Sequence, residues 1–247
     1  MKKNQLFITA AALAAAALIV GQSLAYFTDN DEVTNTFTVG DLDIEETEPE
    51  WDDETDGKNL TPGSVKYKNP TVKNVTSAKN GEEPGYVRMV VEVKDGSGNA
   101  VTDPDTLSLI WKTVRYDQSY NGNSTTKGTA TGLTEDKIPG YTSAEIEKFP
   151  MVNPLFSKDD TRSTASRYVW NYMGSQKDGL LKIGEEATLF TNVVIPADWN
   201  QSHLEKVGSF ILEISAEAIQ SKGFANQTEA FKALDGEIRS GTIQTRK

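Results

Sequence analysis

The chain has no cysteine and a single histidine, His203. The first absence excludes a disulfide framework, a zinc ribbon, an iron–sulfur site and a thiol nucleophile. The second excludes a metal site built on two or three histidines. Cationic residues are scarce: 25 Lys and Arg stand against 36 Asp and Glu, a formal charge of -11. That balance argues against nucleic acid as a partner, because phosphate backbones are held by clustered Lys and Arg. No HExxH, no G-x-S-x-G and no glycine-rich phosphate loop occurs, so the familiar protease, esterase and nucleotide-binding chemistries have no motif to stand on. Beyond residue 20 no apolar run approaches the roughly 20 residues a membrane span requires.

What is present begins with an address. Lys2 and Lys3 form a basic start, Leu6 to Val20 is an uncharged apolar run, and Ser23 and Ala25 place small residues at the -3 and -1 positions. This order predicts a helical signal peptide over 1–25 with cleavage between Ala25 and Tyr26. Residues 26–247 then read as one secreted domain whose stability rests on packing without disulfides.

Alternation with a period of two dominates the rest. Val33, Asn35, Phe37 and Val39 share one side of an extended segment, and Leu42 and Ile44 resume after Gly40. Further strands are expected at Val65 to Val75, broken at Asn69-Pro70, and at Tyr86 to Val93, Leu107 to Tyr116, Arg167 to Met173, Ala187 to Ile195 and Ser209 to Gln220. In the last of these, Phe210, Leu212, Ile214, Ala216 and Ala218 are expected inward, and Glu213, Ser215 and Glu217 outward. Residues 118–156 read as a loop-rich insertion with one helical turn near Ser143. A helix is expected from Asn226, with Glu229 completing a capping box and Gly236 ending it. The sum is an all-β chain, a jelly-roll-like antiparallel β-sandwich with a few short helices.

Two candidate sites follow from composition. Glu45 to Asp56 holds eight carboxylates and one Trp and reads as a solvated loop; within it Asp52, Asp53, Glu54 and Asp56 are the candidate calcium ligands, since calcium takes oxygen donors. His203 lacks a partner histidine and reads as a surface residue in a short turn or helix. The four tryptophans read as core rather than as sugar platforms.

The segment after the cleavage site carries a resemblance. Ala25-Tyr-Phe-Thr-Asp29 and Val33-Thr-Asn-Thr-Phe-Thr-Val-Gly40-Asp-Leu-Asp-Ile44 resemble the mature start of the TasA/CalY (camelysin) family. Glu48-Pro-Glu-Trp51, Leu60-Thr-Pro-Gly63, Val65-Lys-Tyr-Lys-Asn-Pro70 and Pro84-Gly-Tyr-Val-Arg-Met89 follow in the family's order. The likeness is strongest over 1–93 and 187–235, and 100–180 carries no matching motif. It implies a SipW-type signal peptidase as processing partner, export to a Gram-positive surface or matrix, and assembly of the chain with itself into biofilm-matrix fibres. Other matrix proteins or polysaccharide are further partners on this reading. Some members carry a metallopeptidase label, but no histidine zinc motif maps onto this chain, so no catalytic residue and no resident cofactor are expected.

A mechanism for assembly is expected from the residues themselves. Cleavage leaves 26–44 as a β-prone tail without proline. Such a tail adds to an open sheet edge of a neighbour, with Val33, Phe37 and Val39 as the plugs. Two other classes remain open: an exported hydrolase, and an adhesin with a calcium-held loop.

Overall fold

The computed structural model describes residues 37–39, 42, 44–51, 57, 60–77 and 84–240, with backbone alone at 37–39 and 237–240. Two long strands form its spine. β5 (Gly85–Asp95) and β12 (Phe210–Gln220) pair antiparallel along their whole length, from Phe210 opposite Asp95 to Gln220 opposite Gly85. Strict alternation drives this pairing. Val87, Met89, Val91 and Val93 are fully buried on one face of β5, and Phe210, Leu212, Ile214, Ala216 and Ala218 match them on β12. A slip of one residue would turn both sets away from the core. β8 (Arg167–Tyr172) pairs with the other side of β5, and β7 (Phe156–Lys158) pairs with β8. A short β9 (Leu180–Leu181) also pairs with β5.

The second layer is built from two kinked strands. β3 (Val65–Tyr67) and β4 (Thr71–Asn74) are one extended segment interrupted at Asn69-Pro70. Proline has no N–H to donate to a ladder. The opposing segment breaks at the same level, into β10 (Glu186–Thr188) and β11 (Asn192–Val194). Lys68 N–H to Thr191 C=O (3.0 Å) and Leu189 N–H to Pro70 C=O (2.9 Å) close the kink. β2 (Ile44–Thr47) flanks β4, and β6 (Val114–Arg115) flanks β11. The main core draws Ile44, Val72, Ala187 and Leu189 from this layer and the inner faces of β5, β8 and β12 from the other. The result is the antiparallel all-β architecture expected, with short helices.

One expected strand is a helix. Leu107 to Tyr116 forms α1 (Pro104–Thr113) and then the short β6. Asp103 caps the helix, its carboxylate accepting from the Thr106 N–H at 2.9 Å, and Pro104 sits in the first turn. Leu107, Ile110 and Trp111 are buried at helical spacing. The aromatic and branched composition suggested a strand, and the Asp-Pro start signal overrides it. The Ser143 turn is α2 (Ser143–Ile146), and His203 lies in α3 (Gln201–Val207). The final helix, α4 (Gln227–Ser240), begins where expected but runs through Gly236 instead of stopping there.

Residues 116–142 hold no strand or helix, yet they are tied down. Asp117 accepts from Ser119 N–H and Oγ and from the N–H groups of Gly132 and Leu133. Ser124 is buried between the two outer strands of the β2–β4–β10 ladder, contacting Thr47 and Glu186.

Candidate functional site

A sheet in an unclosed sandwich has edges, and each edge strand carries unpaired N–H and C=O groups. The large sheet runs β1-β12-β5-β8-β7. At one margin β7 is three residues long, with Ser157 and Lys158 exposed. Short length and an edge lysine are ordinary defences against pairing with another chain. The other margin is different. There β12 presents eleven residues, and the only described strand on that side is β1 (Phe37–Val39).

β1 pairs with β12 in parallel, the one parallel pair among the described strands. Phe37 lies opposite Glu217, Thr38 opposite Ala218 and Val39 opposite Ile219. From Phe210 to Ala216 no described strand pairs with β12 on this side. Two of the candidate assembly residues, Phe37 and Val39, are therefore in the chain's own sheet edge. Val33 lies outside the described residues, as do Ala25 and Tyr26 at the expected cleavage site.

The outer face of this sheet corner is not polar and open, as the alternation of β12 suggested. Glu217 is only 5 % exposed. Its carboxylate pairs with Arg88 of β5 and, at 3.2 Å, with Arg167 of β8. Arg88 is itself 2 % exposed and bonds Asp235 of α4 through Nη2 at 2.7 Å. Asp235 also accepts from Arg162 Nε at 2.7 Å, and Arg162 pairs with Asp159 at 2.8 Å. Burial raises the Asp235 pKa, but bonds from Arg88 and Arg162 outweigh it and hold the carboxyl below its ordinary value. Burial likewise opposes ionisation of Asp159, and bonds from Thr161, Arg162 and Asn171 depress its pKa well below the usual carboxylate range. The chain of charges welds α4 to β5, β8 and β12. An apolar cluster completes the joint: Tyr86 and Ile219 from the sheet against Ala230, Phe231 and Leu234. Sequence reasoning missed this site because the three carboxylates of the joint, Glu217, Asp235 and Asp159, look like ordinary surface residues; the one available signal was Arg88, a cation inside an otherwise apolar strand.

The described half of the acidic run turns inward at Glu46, Glu48 and Glu50, against the expectation of a solvated loop. Ile44–Thr47 is strand, and Glu46 and Glu50 are buried. Glu48 pairs with the buried Lys68 at 2.7 Å, and the Lys68 ammonium sits 4.3 Å from the Trp51 ring centre. Glu50 accepts from the Tyr120 hydroxyl at 2.8 Å and from the Gly128 N–H. Burial, reinforced by Glu50, raises the Tyr120 pKa strongly. This half of the run is an anchor for the 116–142 segment. The candidate calcium ligands Asp52, Asp53, Glu54 and Asp56 lie outside the described residues.

His203 is the third residue of α3 and helps cap it. Asn200 N–H donates to His203 Nδ1 (3.3 Å), and the imidazole stacks on Trp199 with ring centres 5.6 Å apart. Among the described residues no three His, Asp or Glu side chains converge as a metal-binding group. Trp111, Trp170 and Trp199 are core residues. No described helix is long and apolar enough to cross a membrane.

Residues 1–100 match the family model described as camelysin metallo-endopeptidase, the family that includes TasA and CalY. No curated protein and no solved structure matches the chain. The metal named in that description finds no fitting donor set among the described side chains, and no catalytic step is derived through it.

Proposed function

We propose that this chain, camelysin-like over its first 100 residues, is a secreted structural protein that polymerises into extracellular fibres by exchanging its N-terminal β-strand between copies. The observation that carries the reading is the β12 margin, an eleven-residue strand whose described neighbour on that side is the parallel β1. Continuing the β1 register backwards sets Val33 of a donor strand beside Glu213 of the acceptor, so a donor of residues 30–39 spans the margin from Phe210 to Ile219.

Exchange of β1 replaces each contact within a copy by the same contact between copies, so its net cost in those contacts is near zero. Any ladder bond along Phe210 to Ala216 that forms only between copies favours the assembled state. Phe37 and Val39 exchange like for like and add nothing net, so contacts formed only between copies must offset an association cost of about 4–15 kcal/mol. The contact is head to tail, strand into edge. Such contacts propagate as a filament unless a rotation closes them. With the β7 margin defended, the β12 margin is the growth edge among the described strands of the large sheet, which supports a linear polymer. While the leader is attached, the donor end is tethered, so processing between Ala25 and Tyr26 licenses assembly.

The test compares the secreted form, beginning at Tyr26, with a form beginning at Gly40, by negative-stain microscopy and light scattering. Fibres from the first and monomers from the second are expected. Identical fibres from both would sink the strand-exchange mechanism.

A further inference from the structure

The register of β1 says which face of the acceptor matters. In a parallel pair, residues directly opposite share a face of the sheet. Glu217 and Ile219, opposite Phe37 and Val39, belong to the face covered by α4. Ala218, opposite Thr38, belongs to the main core. Two of the three rungs therefore abut the helix side.

The orientation of α4 is equally specific. Asp235 reaches Arg88 on β5 and Arg162 just beyond β7, so that flank of the helix turns towards the middle of the sheet. Gln227, two turns earlier, donates to the Tyr172 carbonyl at 2.7 Å, on the same side. Ala233 lies about 160° around the helix from Asp235 at the usual 100° per residue. It is half-buried against the Ile219 cluster. Its flank turns away from β5, towards the Ile219 end of β12 where β1 pairs.

We infer that α4 is the outer wall of the slot that receives residues 37–39, that in the fibre the occupant is this segment of a second copy, and that Asp235 is the positioning residue holding the wall in place. The inference rests on the strand-exchange reading above. Without the wall, the β12 margin would be a bare edge open to any extended chain. With it, only a segment that fits between sheet and helix at Ile219 seats in register, which explains how one edge would select one strand.

The absence of cysteine makes the test direct, because introduced thiols are the only ones present. Secreted-form Val39→Cys and Ala233→Cys proteins are mixed, assembled, and treated with a short bis-maleimide. A cross-linked heterodimer confined to the fibre fraction is expected. Fibres lacking that product would overturn the wall while leaving strand exchange intact; absence of fibres in the parent protein would overturn both. In a second arm, Asp235→Asn is expected to keep its near-ultraviolet dichroism and to lower the cross-linked yield about tenfold, the scale of a lost charge-assisted bond. Asp235→Glu should restore it. An unchanged yield in a folded Asp235→Asn protein counts against the positioning role.

Discussion

Burying a guanidinium costs several kcal/mol unless its donors are met, and Arg88 is 2 % exposed. Glu217 and Asp235 meet Nε and Nη2, and Nη1 is buried without a protein partner. Arg88→Met removes the cation and leaves the buried Glu217 and half-buried Asp235 carboxylates facing apolar surface. A loss of about 3–5 kcal/mol in urea unfolding is expected. The double change Arg88→Met with Glu217→Leu should recover much of it, because Asp235 keeps Arg162 and Arg167 keeps Glu92. A double-variant loss equal to the sum of the Arg88→Met and Glu217→Leu losses would mean that the Arg88–Glu217 pair contributes no coupling of its own. Arg88 sits in the run Tyr-Val-Arg-Met-Val-Val, where its outward position was legible; that the outward face is covered was not.

Helix α4 shows how one residue misleads at the scale of an element. Glycine just past a periodic apolar run is the commonest helix stop, and Gly236 follows Phe231 and Leu234 at that distance. In the structure it is an exposed interior residue. A Cβ built there meets nothing within 4 Å, and its φ lies outside the left-handed region. Gly236→Ala should therefore stabilise the protein by about 0.5–1 kcal/mol through helix propensity alone. A destabilised variant would place the helix end at Gly236 after all. α1 errs the other way: Leu-Ser-Leu-Ile-Trp reads as strand by composition, and Asp103-Pro104 decides for helix because it satisfies the first-turn donors. The β12 and β5 strands were legible because their alternation is long and unbroken, whereas the parallel seating of β1 is a long-range pairing that no local pattern encodes.

For the whole molecule, the titration behaviour follows from which groups are held by bonds. Asp159 and Asp235 have depressed pKa values, and so do Asp95, Asp103 and Asp198, each held by hydrogen bonds. Glu145 is pulled down to about 2 by Lys137 and by the Thr142 cap. A carboxylate depressed in the folded state stabilises above its unfolded pKa of about 4 and loses that contribution as pH falls through its folded value. Tyr67, Tyr116, Tyr120 and Tyr172 are raised, chiefly by burial. Their contribution is present below about pH 10 and lost above it. The urea midpoint should thus be flat from about pH 5 to 9, fall steeply below about 4, and fall again above about 10. A midpoint that rises on acidification from pH 5 to 3 would show that repulsion within a chain of charge -11 outweighs these bonds.

The sequence by itself determined the class of fold, the two central strands and the pairing face of each, because alternation over many residues leaves only one way to bury the apolar set. It also carried the resemblance to the camelysin family over the N-terminal part. Tertiary structure alone decided which carboxylates are buried, that Glu46 and Glu50 of the acidic run face inward, and that β1 occupies the β12 margin. The Arg88 clamp and the edge pairing of β1 depend on neighbours more than a hundred residues away in the chain, and no local pattern records which of them arrive.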